Sequence, residues 1–185
     1  MHVQEAIHSR RTAHSWQDTP VPEEVILKGL EAAQMAPCHR LTWPWRFTLP
    51  GPVTRKALFE IGIDLKAAKI GGEVTEEFRQ LMVAKMGNPA LVVVSQLVSE
   101  DAMQSQEDYA ACASAIQNLS LSLFADGFHS KWSTGGITRD PRTYDLLNIL
   151  PSEENIIGFI WAGVPIRVGA APQRPDLTEQ LRRVP

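Results

Sequence analysis

The chain predicts an α+β sandwich with mixed strand pairing. Two runs of β-branched and aromatic residues, 90–97 and 155–163, read as buried strands. A long helical stretch carries Cys112, Ile116, Leu119 and Leu123 on one stripe, with Ala110, Ala111 and Ser114 keeping its other face small. The order helix, helix, strand, helices, strand, helix, strand, helix, strand then gives the layers.

Residues 2–9 read as a short helix ending at Arg10-Arg11. Val21-Pro22-Glu23-Glu24 looks like a helix start, with proline and acids in the first turn. Ile26, Leu30 and Ala33 recur at helical spacing before Pro37 closes the element. Residues 45–49 form a short strand stopped by Pro50-Gly51-Pro52. Residues 53–86 read as helical and peripheral, broken at Gly71-Gly72, with Lys66, Lys69, Arg79 and Lys85 among apolar positions.

Asn88-Pro89 leads into the strand at 90–97, which fits a central position. The helix that follows places Tyr109 with Cys112, Ile116, Leu119 and Leu123, and a helix so apolar or small all round belongs at a domain centre or in a dimer interface. Gly127 ends it before a strand at 128–133. Asp140-Pro141 starts a short helix through Leu147, and the strand at 155–163 follows. The stretch 165–185 is rich in proline and arginine, with one brief helical pattern at 175–181. Such a tail needs a surface to lie on, and a neighbouring subunit would provide one.

Composition narrows the function. With 185 residues, 44% of them hydrophobic, the chain reads as one domain, 1–185, with a real core. A net charge of -3 without a long basic run argues against nucleic acid as partner. No apolar run approaches the roughly 20 residues that span a bilayer, and Met1–Glu5 lacks the features of a signal peptide. Cys38 and Cys112 have no paired spacing, so neither disulfide nor zinc is indicated. These features predict a protein of the reducing cytosol. The histidines His2, His8, His14, His39 and His129 show no metal spacing, and neither a G-x-G-x-x-G nor a Walker motif is present.

Three segments carry chemistry. Arg10-Arg11-Thr12 offers guanidinium forks and a hydroxyl, which suit a phosphate; cations at a helix end equally complement the helix dipole. Ala36-Pro37-Cys38-His39-Arg40 leads into Trp43-Pro44-Trp45, a helix-ending turn with an imidazole, an arginine and two indoles. Cys38 beside His39 invites a nucleophilic reading, but sequence neighbours rarely face each other and no acid is in position to orient the ring, so His39 and Arg40 are read as presented to a ligand. Trp132-Ser133-Thr134-Gly135-Gly136 adds hydroxyls and open backbone. Trp161 reads as core, Trp43 as the indole nearest a ligand, and Trp132 as intermediate. Together the segments point to a flavin mononucleotide.

At these segments the chain resembles the nitroreductase family of FMN-dependent oxidoreductases, and most closely its short bacterial members. The pattern I-x-x-R-R-S/T matches residues 7–12, and A-P-S/D-x-x-x-x-Q-P-W-x-F matches 36–47. The pattern G-x-W-x-S/T-G is met by 129–135, with His129 matching no motif residue, and I-V-G-F-x-x-x-G-x-P matches 156–165. The resemblance covers nearly the whole length. It implies an α/β/α sandwich with a mixed, mainly antiparallel central sheet, and a homodimer with two interfacial FMN sites. It also implies cofactor contacts from Arg10, Arg11, Thr12, Met35, His39, Trp43, Trp132, Ser133 and Thr134. One subunit would supply Arg10, Arg11, Thr12 and residues near His39, and the other the Trp132-Ser133-Thr134 loop.

The implied activity takes hydride from NAD(P)H and reduces a small nitroaromatic or quinone-type acceptor in ping-pong order. The flavin would do the chemistry, with Arg40 or His39 balancing charge near its N1. Trp43 stands where the family usually has glutamine, which exchanges a ring-edge hydrogen bond for a stacking wall and leaves the substrate open. Flavin storage without turnover, flavin fragmentation, reductive dehalogenation and a cofactor-free dimer are the alternatives.

Overall fold

Strand β2, Ala90–Leu97, is buried from Leu91 to Gln96, as the apolar run Ala90–Val94 requires of a strand covered on both faces. The computed structural model describes residues 1–185. Helices α1 (Val3–Ser9) and α2 (Glu23–Gln34) precede strand β1 (Trp45–Thr48). Helices α3 (Pro52–Ile70) and α4 (Glu76–Met82) and a π turn at Val83–Gly87 lead to β2. Helix α5 (Ala102–Ala125), strand β3 (His129–Ser133), helix α6 (Pro141–Leu147), strand β4 (Glu154–Gly163) and helix α7 (Leu177–Gln180) follow.

The sheet order is β1-β2-β4-β3, with every strand pair antiparallel. Mixed pairing is confined to one isolated parallel bridge, Thr12 with Ser130. Pleating sends alternate residues to opposite faces. Val92, Val94, Ile160 and Ala162 meet α2 and α5 through Ile26, Ala33, Ala115 and Leu119. Leu91, Val93, Phe159 and Trp161 meet Leu58 and Ile61 of α3 on the other face. These two cores make the α/β/α sandwich.

Local chemistry sets the element ends. Asp101 caps α5 by accepting from the Met103 and Gln104 N–H groups at 2.8 and 3.2 Å. Gly71 ends α3 at φ 63°, in the left-handed region glycine adopts freely, and Thr75 caps α4. The expected break at Gly71-Gly72 is therefore present, with the π turn added before β2.

Helix α5 departs from expectation on one side. Tyr109 is exposed, although the sequence places it on the buried stripe, and Met103, Ala110 and Gln117 share that open side. The buried stripe is instead Ala111, Cys112, Ala115, Ile116, Leu119 and Leu123, because α2 and the sheet cover only that part of the helix. Residues 166–185 are exposed throughout and have no bed within the chain. No helix is long and apolar enough to cross a membrane.

Candidate active site

The chain leaves α1 at Arg10 and runs beside the start of β3. Thr12 bridges Ser130 in parallel, the Ala13 N–H donates to the Ser130 carbonyl at 3.3 Å, and His129 Nδ1 lies 3.2 Å from the Arg11 carbonyl oxygen. Farther on, Trp16 is wholly buried, its backbone N–H donates to Ala84 O at 2.8 Å, and Asn88 Nδ2 donates to Trp16 O at 3.1 Å. These bonds fix His14 between β3 and the π turn.

Arg10 is half-buried, and its pKa is lowered by burial first, then by the nearby guanidiniums of Arg11 and Arg174. No carboxylate pairs with any of the three. Arg11 Nη1 donates only to the carbonyls of His8 and Arg10, at 2.7 and 2.9 Å. Guanidiniums gathered without an acid have the donor chemistry that could hold a phosphate-type anion. Arg174, in the exposed tail, is a member that local pattern did not disclose.

A cleft of about 800 Å³ opens beyond this cluster, on the sheet face that carries Trp161. Its floor is β3 and the turn after it, from Lys131 to Ile137. Gly62, Leu65, Lys66 and Lys69 of α3 and Met82, Lys85 and Met86 enclose it, and His14 stands at its edge. Lys131 pairs in register with Trp161 and so faces this side. Burial pushes the Lys131 ammonium pKa down, and Lys85 and Lys66 add to the effect.

Trp132 takes the intermediate role expected of it. Its indole N–H donates to Ile157 O at 3.1 Å and its ring covers Gly158, where a Cβ would collide with the ring nitrogen. The ring packs against the α2 and α5 side of the sheet, so the segment meets the cleft chiefly through Ser133, Thr134 and the backbone of Gly135-Gly136.

Met35, His39 and Trp43 lie elsewhere, in the segment between α2 and β1. The loop holds Arg40, Leu41 and Trp43 at φ 57°, 55° and 47°, a region non-glycine residues seldom enter. Several bonds hold it there. The Trp43 N–H donates to Cys38 Sγ at 3.2 Å, and Thr42 Oγ1 donates to buried Asp108 at 2.6 Å. Arg40 reaches Gln104 at 3.1 Å, and Arg46 donates to Trp43 O and Trp45 O at 3.0 and 2.9 Å. Trp43 meets Trp45 edge-on at 5.8 Å, while Met35 is 80% and Trp43 48% exposed.

One reading of this loop changes. An acid does approach His39: Glu107 of α5 lies 3.9 Å from Nε2 and 3.8 Å from Arg40 Nε. Cys38 Sγ instead faces the Thr42 hydroxyl at 3.4 Å and the His39 carbonyl, so there is no thiol–imidazole dyad. Cys112 is wholly buried, and burial pushes its thiol up to about 12.

Within one chain the residues expected at the site fall into two groups. Residues 10–12 lie against β3 of the same chain, because Thr12 pairs with Ser130, and so sit with the 132–134 loop. Residues near His39 are the ones set apart. Their loop leads into β1, the sheet edge opposite β3, and packs against α5 on the opposite face from the cleft. Within one chain the two groups do not converge.

The family model described as "Nitroreductase family" matches residues 7–164. The chain belongs to the nitroreductase family. It is 30% identical over 180 residues to the Bacillus subtilis protein named "Putative NAD(P)H nitroreductase YfhC", covering 97% of this chain and 92% of that one. Among solved structures, a nitroreductase-like family protein from Bacillus cereus superposes with TM-score 0.84 at 23% identity, over 100% of this chain and 96% of the other. A nitroreductase from Desulfovibrio desulfuricans, solved in complex with FMN, superposes with TM-score 0.73 at 23% identity, over 99% and 96%. The family's fold, an antiparallel sheet between helical layers, is thus the fold found here.

Proposed function

We propose that this protein is a homodimeric, FMN-dependent oxidoreductase that accepts electrons from NAD(P)H and passes them to small nitroaromatic or quinone-type acceptors. The carrying observation is the acid-free cluster of Arg10, Arg11 and Arg174, set within a few residues of an open cleft. From Arg10 to His14 the chain extends no more than about 14 Å, a span suited to a phosphate at one end and a ring system at the other. The FMN complex of the Desulfovibrio relative and the name of the Bacillus subtilis relative support the same cofactor and co-substrate.

The residues fit the cofactor. Arg10, Arg11 and Arg174 would hold the phosphate, with the Thr12 hydroxyl beside them. Ser133, Thr134 and the open backbone of Gly135-Gly136 would meet the ligand along the cleft floor. A cation at the ring edge, Lys131 or His14, would balance charge gained on reduction; Lys131 is already partly desolvated, which strengthens its field. When bound, FMN supplies hydride acceptance and electron donation, and the protein supplies binding, orientation and electrostatics.

A second copy completes the site in this reading. Met35, His39 and Trp43 would come from the partner, presented by the strained loop. The open side of α5 and the tail at 166–185, both exposed in one chain, would be covered in the pair. One enclosed face serving donor and then acceptor gives ping-pong order.

The experiment is an absorbance spectrum of protein reconstituted with FMN, before and after anaerobic NADH or NADPH. Flavin bands that bleach, then return with a nitroaromatic or quinone, are expected. Bands that never bleach would reduce the protein to a flavin binder, and a protein that takes up no FMN would remove the reading altogether.

A further inference from the structure

Four lysines reach the cleft from three separate elements: Lys66 and Lys69 from α3, Lys85 from the π turn, and Lys131 from β3. No aspartate or glutamate lines it, and none of the four lysines is in an ion pair. Glu73 and Glu77 do not line the cleft, and the other acids on neighbouring elements are engaged elsewhere. Glu60 takes a bidentate pair of bonds from Arg79 at 3.0 Å, Asp64 and Asp140 share Arg142, and Glu76 accepts from Gln80. Lys85 and Lys131 are half-buried rather than splayed into water. Like charges confined around one cleft repel one another, and an incoming anion relieves that repulsion.

A flavin alone does not account for this much positive charge. Its phosphate is matched by Arg10, Arg11 and Arg174, none of which lines the cleft. Its ring system gains one negative charge on reduction, which one cation balances. Lys131 on the sheet floor serves that role, and Lys69 and Lys85 stand on the enclosing elements, away from the floor.

Building on the FMN reading, we propose that the second ligand admitted to the cleft carries its own anionic group, recognised by Lys69 and Lys85. That group is a carboxylate on the acceptor or the 2′-phosphate of NADPH. Both present the same chemistry, oxygen anions to two ammonium groups, from opposite halves of the catalytic cycle.

The test uses dead-end ligands on the oxidised, FMN-loaded protein, followed by flavin difference absorbance and by calorimetry. Benzoate is compared with benzamide, and 2′,5′-ADP with 5′-AMP. At low ionic strength the member of at least one pair that carries the additional anionic group, benzoate or 2′,5′-ADP, binds about tenfold tighter. The preference falls to about twofold in Lys69→Gln/Lys85→Gln with flavin content unchanged, and in the native protein it fades as salt is added. Discrimination by benzoate assigns the anion to the acceptor, and discrimination by 2′,5′-ADP assigns it to the donor. Equal binding within both pairs, or a preference that survives in the double variant, overturns the proposal while leaving the flavin reading intact. A protein that takes up no FMN fails the cofactor reading first, and this one with it.

Discussion

The strip beside β3 and the loop before β1 contribute to one proposed site but are built on different principles. The strip is electrostatic and backbone-fixed. Arg10 to Ala13 is held by bonds to β3, and its guanidiniums, with Arg174, remain without an acid. The loop is strained and is held by a web of side-chain bonds, and it turns apolar groups outward at Met35, Leu41 and Trp43. A charged strip is ready for a small anion. An apolar, preorganised loop is ready for a second protein surface. One chain folds both halves, and a second copy joins them in the reading proposed.

The sharpest way to break this contrast is at Arg10. Arg10→Ala should weaken FMN binding by about 100-fold, or about 2.8 kcal/mol, by removing a charge-assisted contact to phosphate. Arg174→Ala should show a smaller loss in the same fluorescence titration of free FMN. Unchanged affinity in both variants would strip the guanidinium cluster of its role.

Gly158→Ala attacks the support under β3. The new methyl group collides with the Trp132 indole and costs that ring its bond to Ile157 O, so a loss of about 2 kcal/mol in urea unfolding is expected. Unaltered stability would mean that the indole has another place to go.

On the loop side, Asp108→Asn leaves the Thr42 hydroxyl with a neutral acceptor. The expected cost is about 1 kcal/mol of stability, with a weaker dimer by analytical ultracentrifugation and little change in charge at the β3 strip. A variant that loses FMN but stays fully dimeric would place Asp108 with the wrong half.

The smallest effect concerns pH. Side-chain hydrogen bonds from Arg142 hold the Asp140 carboxyl below its ordinary range, assisted by the Arg142 N–H. The folded state therefore favours the carboxylate. Its contribution is complete above the unfolded value near ~3.9 and is lost as pH falls through the lower folded value. Acid unfolding below about pH 4 should soften in Asp140→Asn; an identical acid profile would show that this cap to α6, next to the cleft turn, is immaterial.

Local signals carried much of the fold. Residues 90–97 announced a central strand because they open with an apolar run, Ala90–Val94, that includes three consecutive valines, and strand burial on both faces demands such a run. Pro141 and the Asp140 cap marked α6, and Gly71 marked the end of α3, for equally local reasons. Tyr109 shows the limit. Helical spacing tells which residues share a side but not how wide a side the neighbours cover.

The amino-acid sequence by itself determined the elements, the family and the segments rich in ligand chemistry, since each is written in adjacent residues or regular spacing. Only the tertiary structure decided which segments meet. It set Arg10-Arg11-Thr12 beside β3 instead of with the His39 loop, and turned the Trp132 ring onto Gly158. It gathered four lysines from three elements around one cleft, and placed Arg174 near Arg10. These pairings are long-range. They follow from how two cores pack on opposite faces of one sheet, and no window of local sequence carries that information.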